Sequence, residues 1–173
     1  MSKMLRTPEI LASSAEFSPD GVYRYTLDRL WGDGPTVLFL MLNPSTADAV
    51  EPDPTVTRCI DFAHRLGFGS LTVCNLFAFR ATLPKDMAEA RKRGVDIVGP
   101  LNDQRIVLRS AAASMVIAAW GTHGGDLTLR RGDRVARMLN RSIHVLQLTK
   151  SGQPHHPLYL PATCVPLVWR SKG

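Results

Sequence analysis

Asn43 and Pro44 stand where an apolar run, Leu38 to Leu42, stops. An asparagine amide donates and accepts hydrogen bonds but takes no proton at ordinary pH. Asn43 can therefore orient a water through its carbonyl oxygen, but it cannot act as a strong general base. The competing reading is a turn cap, with Pro44 fixing the bend and Ser45 following it. Asp48 and Asp53 flank Glu51 in the same loop. Asp53 reads best as a helix cap, which leaves Asp48 as the candidate catalytic carboxylate. The spacing fits no calcium loop. Asn75 ends a second apolar run, Val73-Cys74-Asn75. A buried amide there complements the Watson–Crick edge of a pyrimidine such as uracil, or of another base. Phe77 offers a stacking face and Arg80 a phosphate contact, although Phe77 and Phe79 equally suit a core. Trp120 and Gly121 end a third run, and glycine lets a ligand approach the backbone. His123 beside them reads as an exposed loop histidine. The loop from Lys150 to Pro157 supplies a cation for phosphate, and His155 or His156 as a donor to an oxygen gaining negative charge.

These residues need strands to deliver them. A buried parallel strand reads as a continuous apolar run. Four qualify: about Thr36–Leu42, Ser70–Leu76, Met115–Trp120 and Ile143–Leu148. In open α/β sheets, ligands bind beyond the carboxyl ends of such strands, so the four ends describe one composite pocket. Between them, Pro54 to Leu66 carries apolar residues at helical spacing, with Pro54 at the first position and Gly67 as the stop. A short helix is expected within Pro84–Gly94, another over Asn102–Ala113, and an amphipathic one over Asp126–Leu139. Before the first core strand, Pro19-Asp20-Gly21 is a turn signal and Val22–Trp31 alternates. That predicts an N-terminal β hairpin or edge strand. Val165–Trp169 reads either as a last edge strand or as a segment packed across the sheet. The expected fold is a three-layer α/β/α sandwich with a central, mostly parallel four-stranded sheet, forming a single domain over residues 1–173.

Composition sets outer limits. The net charge is +6 and the isoelectric point about 9.7, compatible with a nucleic acid or an anionic small molecule, or with a merely solvated basic surface. Three cysteines without metal spacing argue against a disulfide frame or an iron–sulfur cluster. No apolar run approaches the ~20 residues of a membrane helix, and the N-terminus lacks a leader's apolar core. A cytoplasmic monomer without metal or cofactor is expected. Walker A, GxGxxG, HExxH and GxSxG sequences do not occur, which argues against an NTPase, a dinucleotide dehydrogenase, a zincin and an α/β-hydrolase.

Five ordered segments, NPSTAD, DPTVTRC, NLFAFRAT, AWG and GQPHHPLYLP, resemble a bacterial and phage family defined only as a domain of unknown function, DUF1643. The order strand–Asn-Pro, strand–Asn, strand–Trp-Gly, loop–His-Pro is also distantly similar to the uracil-DNA glycosylase superfamily. That likeness implies a catalytic, water-placing role for Asn43, base reading by Asn75 and a last motif at His156-Pro157. Met41, Ser45 and Leu158 depart from the superfamily pattern, Leu158 standing where it has a phosphate-binding serine.

Three functions compete. The first is a glycosylase-like hydrolase releasing a damaged or modified pyrimidine from DNA, as in base-excision repair. The second is a nucleic-acid or nucleotide binder without catalysis. The third is an enzyme acting on a free nucleoside or nucleotide.

Overall fold

The computed structural model describes residues 6–45 and 53–171. Its centre is the parallel set predicted from the apolar runs. In chain order the elements are β1 (Ala12–Phe17), β2 (Arg24–Leu30), β3 (Thr36–Met41), α1 (Pro54–Arg65), β4 (Ser70–Asn75), α2 (Pro84–Lys92), α3 (Asn102–Ala112), β5 (Met115–Ala118), α4 (Gly125–Met138), β6 (Ile143–Val145) and β7 (Leu167–Arg170), with a 3-10 turn at Pro157–Tyr159 before β7. The architecture is mixed α/β.

The sheet is larger than the expected four strands. Seven strands pair in the order β1-β2-β4-β3-β5-β6-β7. The inner four, β4, β3, β5 and β6, are mutually parallel. The antiparallel hairpin β1–β2 extends the β4 edge, and antiparallel β7 extends the β6 edge. The added strands are the expected N-terminal hairpin and the Val165–Trp169 segment, which join the sheet instead of standing apart from its four-stranded centre. β1 and β7 are exposed or half-exposed edge strands, without the buried run that marks a central strand.

Each face of the sheet buries its own cluster. Val37, Phe39, Met41, Leu71 and Val73 meet Val56, Cys59, Ile60 and Phe62 of α1. Leu38, Leu40, Cys74 and Val116 meet Met87 of α2, Ile106 of α3 and Val135 of α4. The two-residue period of β3 and β4 thus feeds opposite faces. Crossing from β3 to β4 on one side and on to β5 on the other makes a topological switch beside β3, where open sheets form their ligand crevice.

Local chemistry fixes the ends of the elements. Asp53 Oδ1 accepts from the Thr55 and Val56 amides at 2.7 and 3.2 Å, capping α1 as expected, with Pro54 in its first turn. Gly69 permits a close backbone approach before β4. A Cβ there would lie 2.2 Å from the Gly34 nitrogen. All four predicted strands end short of their expected last residue, most of all β5 and β6, where the chain beyond them pairs with Pro154 instead. The Gly121 amide donates to the Pro154 carbonyl, and Leu148 bridges to Pro154.

Candidate functional site

A cavity of about 200 Å³ opens at the carboxyl ends of β3 and β4, on the α1 side of the sheet. Asn43 and Ser45 reach it from the end of β3, Asn75 from the end of β4, Trp120 from beyond β5 and His156 from the loop before the 3-10 turn. Five predicted residues from four separate segments therefore share one space.

The amide of Asn43 is oriented by its surroundings. Its Nδ2 donates to the carbonyls of Ala81 at 2.9 Å and Pro44 at 3.1 Å. Both amide hydrogens are committed, so the amide cannot flip. Oδ1 remains as an acceptor. The Ala81 amide donates back to the Pro44 carbonyl, which ties the loop after β3 to the chain after β4.

Asn75 is held from behind. Asn102 Nδ2 donates to the Asn75 and Leu76 carbonyls at 3.0 and 3.1 Å, and Arg131 Nε donates to the Leu76 carbonyl at 2.8 Å. Arg131 in turn pairs with Asp103. These groups fix the backbone while the Asn75 side chain, 2 % exposed, lines the cavity with Nδ2 lacking any partner among the described residues. A buried donor without an acceptor is costly, and an acceptor entering the cavity would satisfy it.

His156 has a defined tautomer. Its Nδ1 accepts from the Leu158 amide at 3.2 Å. In the neutral ring the proton then sits on Nε2, which makes that atom a donor. Burial pulls the imidazole below its usual pKa, and the positive charges of His123 and His155 add to this, while Asp53 opposes them. The loop is clamped onto α1 by Arg58, whose guanidinium donates to the Pro157 and Leu160 carbonyls and lies over the Phe62 ring. Gly121, at φ 73°, lets the β5 end pass His156. A Cβ there would meet the His156 Cβ at 3.4 Å.

The remaining candidates lie elsewhere. Phe77 is buried in the cluster on the opposite face, so it offers no stacking surface in this cavity. Arg80 donates to the Gly21 carbonyl and covers the Phe17 ring, away from the lining. Pro44 is buried beside the site and acts through its carbonyl. His155 is half-buried, with Nδ1 at 3.1 Å from the His156 carbonyl, and Lys150 is exposed; neither lines the cavity. Trp120 contributes to the wall, but its indole turns to the other face, against Trp169 at 5.5 Å between ring centroids. Asp48 lies outside the described residues.

Sequence reasoning passed over three lining residues. Asp53 was assigned only a capping role, yet its second oxygen accepts from Ser45 Oγ at 3.2 Å inside the site. His123 is exposed, as expected of a loop histidine, but it borders the opening. Arg24 was not considered. It is 4 % exposed, lines the cavity and makes no side-chain hydrogen bond or ion pair among the described residues. No local motif signals it, because a register shift in the β1–β2 pairing aims it. Glu16 faces Thr26, but Phe17 faces Arg24, leaving Tyr25 as the extra residue of a bulge.

Among the described residues no group of His, Cys, Asp and Glu is arranged to hold a metal, and no helix is long and apolar enough to cross a membrane. The family described as a protein of unknown function, DUF1643, matches residues 24–158, and the chain belongs to it. No curated protein and no solved structure matches the chain.

Proposed function

We propose that this chain is a glycosylase-like hydrolase with a three-layer α/β/α sandwich of the uracil-DNA glycosylase type, cleaving the N-glycosidic bond of a damaged or modified pyrimidine in DNA. The observation that carries the reading is the convergence of the Asn43 acceptor, the unpaired Asn75 donor and the neutral His156 donor on one cavity at the strand ends. Asn43 Oδ1 positions a water against the sugar carbon. Asn75 hydrogen-bonds a carbonyl of the flipped base. The water oxygen bonds to the sugar carbon as the carbon–nitrogen bond breaks, and the electron pair leaves with the base. His156 Nε2–H donates to the base oxygen where that charge collects. A preorganised donor of this kind is worth about 3 kcal/mol in other enzymes. Asp53, the carboxylate among the described residues that lines the cavity, takes the proton of the attacking water.

The second reading, an enzyme or binder for a free nucleoside or nucleotide, draws on the departures. Leu158 stands where the superfamily has a phosphate-binding serine, and neither Arg80 nor Lys150 lines the cavity. A panel of single- and double-stranded oligonucleotides carrying uracil, hydroxymethyluracil, hypoxanthine or a G·T mismatch separates the readings. Abasic sites are scored by alkaline cleavage. Release from at least one substrate supports the hydrolase. Intact oligonucleotides throughout, together with binding of a free nucleoside, defeat it in favour of the second reading.

A further inference from the structure

Among the described residues, Arg24 is a buried charge that no hydrogen bond or ion pair explains. Its side chain is almost wholly buried, and among the described residues Nε has no partner and no carboxylate lies within ion-pair distance. An unpaired buried charge is strongly unfavourable, and proteins seldom retain one without use. Burial pulls Arg24 down to about 10, Asp53 opposes this from a distance, and Arg80 and Arg29 add to it. The group therefore stays cationic at neutral pH, with Asp53 as the one carboxylate among the described residues whose charge it feels, opposed by Arg80 and Arg29. The bulge at Tyr25 brings it to the cavity that Asn75, whose Nδ2 has no partner among the described residues, also lines. Both unsatisfied atoms are donors. What enters between them must bring acceptors, and Arg24 asks for negative charge.

We propose that Arg24 and Asn75 form a subsite for an anionic group, a carboxylate or a phosphate, carried by the part of the ligand that enters the cavity. The inference rests on the cavity's reading as a pyrimidine site and narrows its substrate to an acidic pyrimidine or a pyrimidine nucleoside monophosphate. A neutral base satisfies Asn75 through a carbonyl but leaves Arg24 as it is. A backbone phosphate of duplex DNA stays outside the cavity, beyond reach of so buried a side chain. The planar guanidinium fork matches both oxyanions in bidentate geometry.

The test measures binding of orotate, uridine 5′-monophosphate and uracil by calorimetry, using the whole chain and its Arg24→Met and Arg24→Lys variants. At least one of the two anions is expected to bind about tenfold or more tighter than uracil, and Arg24→Met is expected to remove that preference. Preference for orotate alone puts the charge on the base. Preference for the nucleotide alone puts it on the phosphate. Arg24→Lys is expected to keep the sign of the preference with reduced affinity. Without ligand, Arg24→Met is expected to unfold in urea no earlier than the parent chain, because it removes an unpaired buried charge. Equal affinity for all three compounds, no affinity for either anion, a preference that survives Arg24→Met, or an earlier urea midpoint would each overturn the proposal. Binding is read without base release, so a failure of glycosidic hydrolysis leaves this result standing, and the reverse holds too.

Discussion

Asp53 offers the sharpest separation of structure from charge. Replacing it with alanine removes the acceptor of the Thr55 and Val56 amides and the partner of Ser45 Oγ. Loss of such a cap costs about 1 kcal/mol, and loss of a negative charge at a helix N-terminus adds about 0.3–1 kcal/mol. For a chain of this size each kcal/mol moves the melting midpoint by about 2–4 °C, so Asp53→Ala should melt about 2–8 °C lower. Asp53→Asn keeps the cap and removes only the charge, and should cost less. Part of that cost passes through Arg24, whose burial Asp53 partly offsets. In an Arg24→Met background the penalty of Asp53→Asn should therefore shrink, with a coupling of about 0.5–1 kcal/mol. Urea unfolding of the four chains of the double-mutant cycle measures it. Equal penalties for alanine and asparagine would refute the capping argument. Zero coupling to Arg24 would refute the electrostatic one.

Gly69→Ala should lower stability by several kcal/mol in urea unfolding, because its Cβ would press on Gly34 and Gly32 backbone rather than on a movable side chain. The lowered pKa of His156 has a defined sign. The unfolded chain takes up the proton first, so the stability held above about pH 6.5 falls as pH drops through the folded-state value, which urea midpoints against pH would follow. Any His156-dependent base release should lose its rate on that same acid side, with its kcat/KM midpoint below about pH 6.5, because only the neutral ring both accepts from Leu158 and presents Nε2–H. Native thiol titration should modify Cys164 alone: Cys59 and Cys74 are fully buried, burial raises both pKa values, and Cys74 is pushed up to about 12.

The parallel core was legible because its strands are buried on both faces and read as uninterrupted apolar runs. The residues at their ends were legible for the same reason: a polar group that abruptly ends such a run, such as Asn43 or Asn75, sits at the rim of the sheet. Phe77 was harder to place. One residue separates it from a strand end, and the two-residue period alone does not say which face an irregular segment takes. The edge strands were legible as a hairpin and a candidate last strand, but their pairing into one seven-stranded sheet was not, because exposed edges leave little hydrophobic pattern to fix their partners. Arg24 was invisible for a stronger reason. In regular alternation it would share a face with Thr26, and only the bulge at Tyr25 brings it to the cavity that Asn75 lines. The double use of Asp53 was hidden by its good local fit as a cap.

The most direct measurement compares the rate of base release by the parent chain with that of Asn43→Ala and His156→Ala, on the best oligonucleotide of the modified-base panel. The account predicts release that falls at least about a hundredfold in each variant, the scale of losing one preorganised group in the transition state. Both variants should remain folded, with unfolding free energies in urea lowered by about 1–3 kcal/mol for the hydrogen bonds they lose. Undiminished release in either variant, or no release from any substrate by the parent chain, would contradict it.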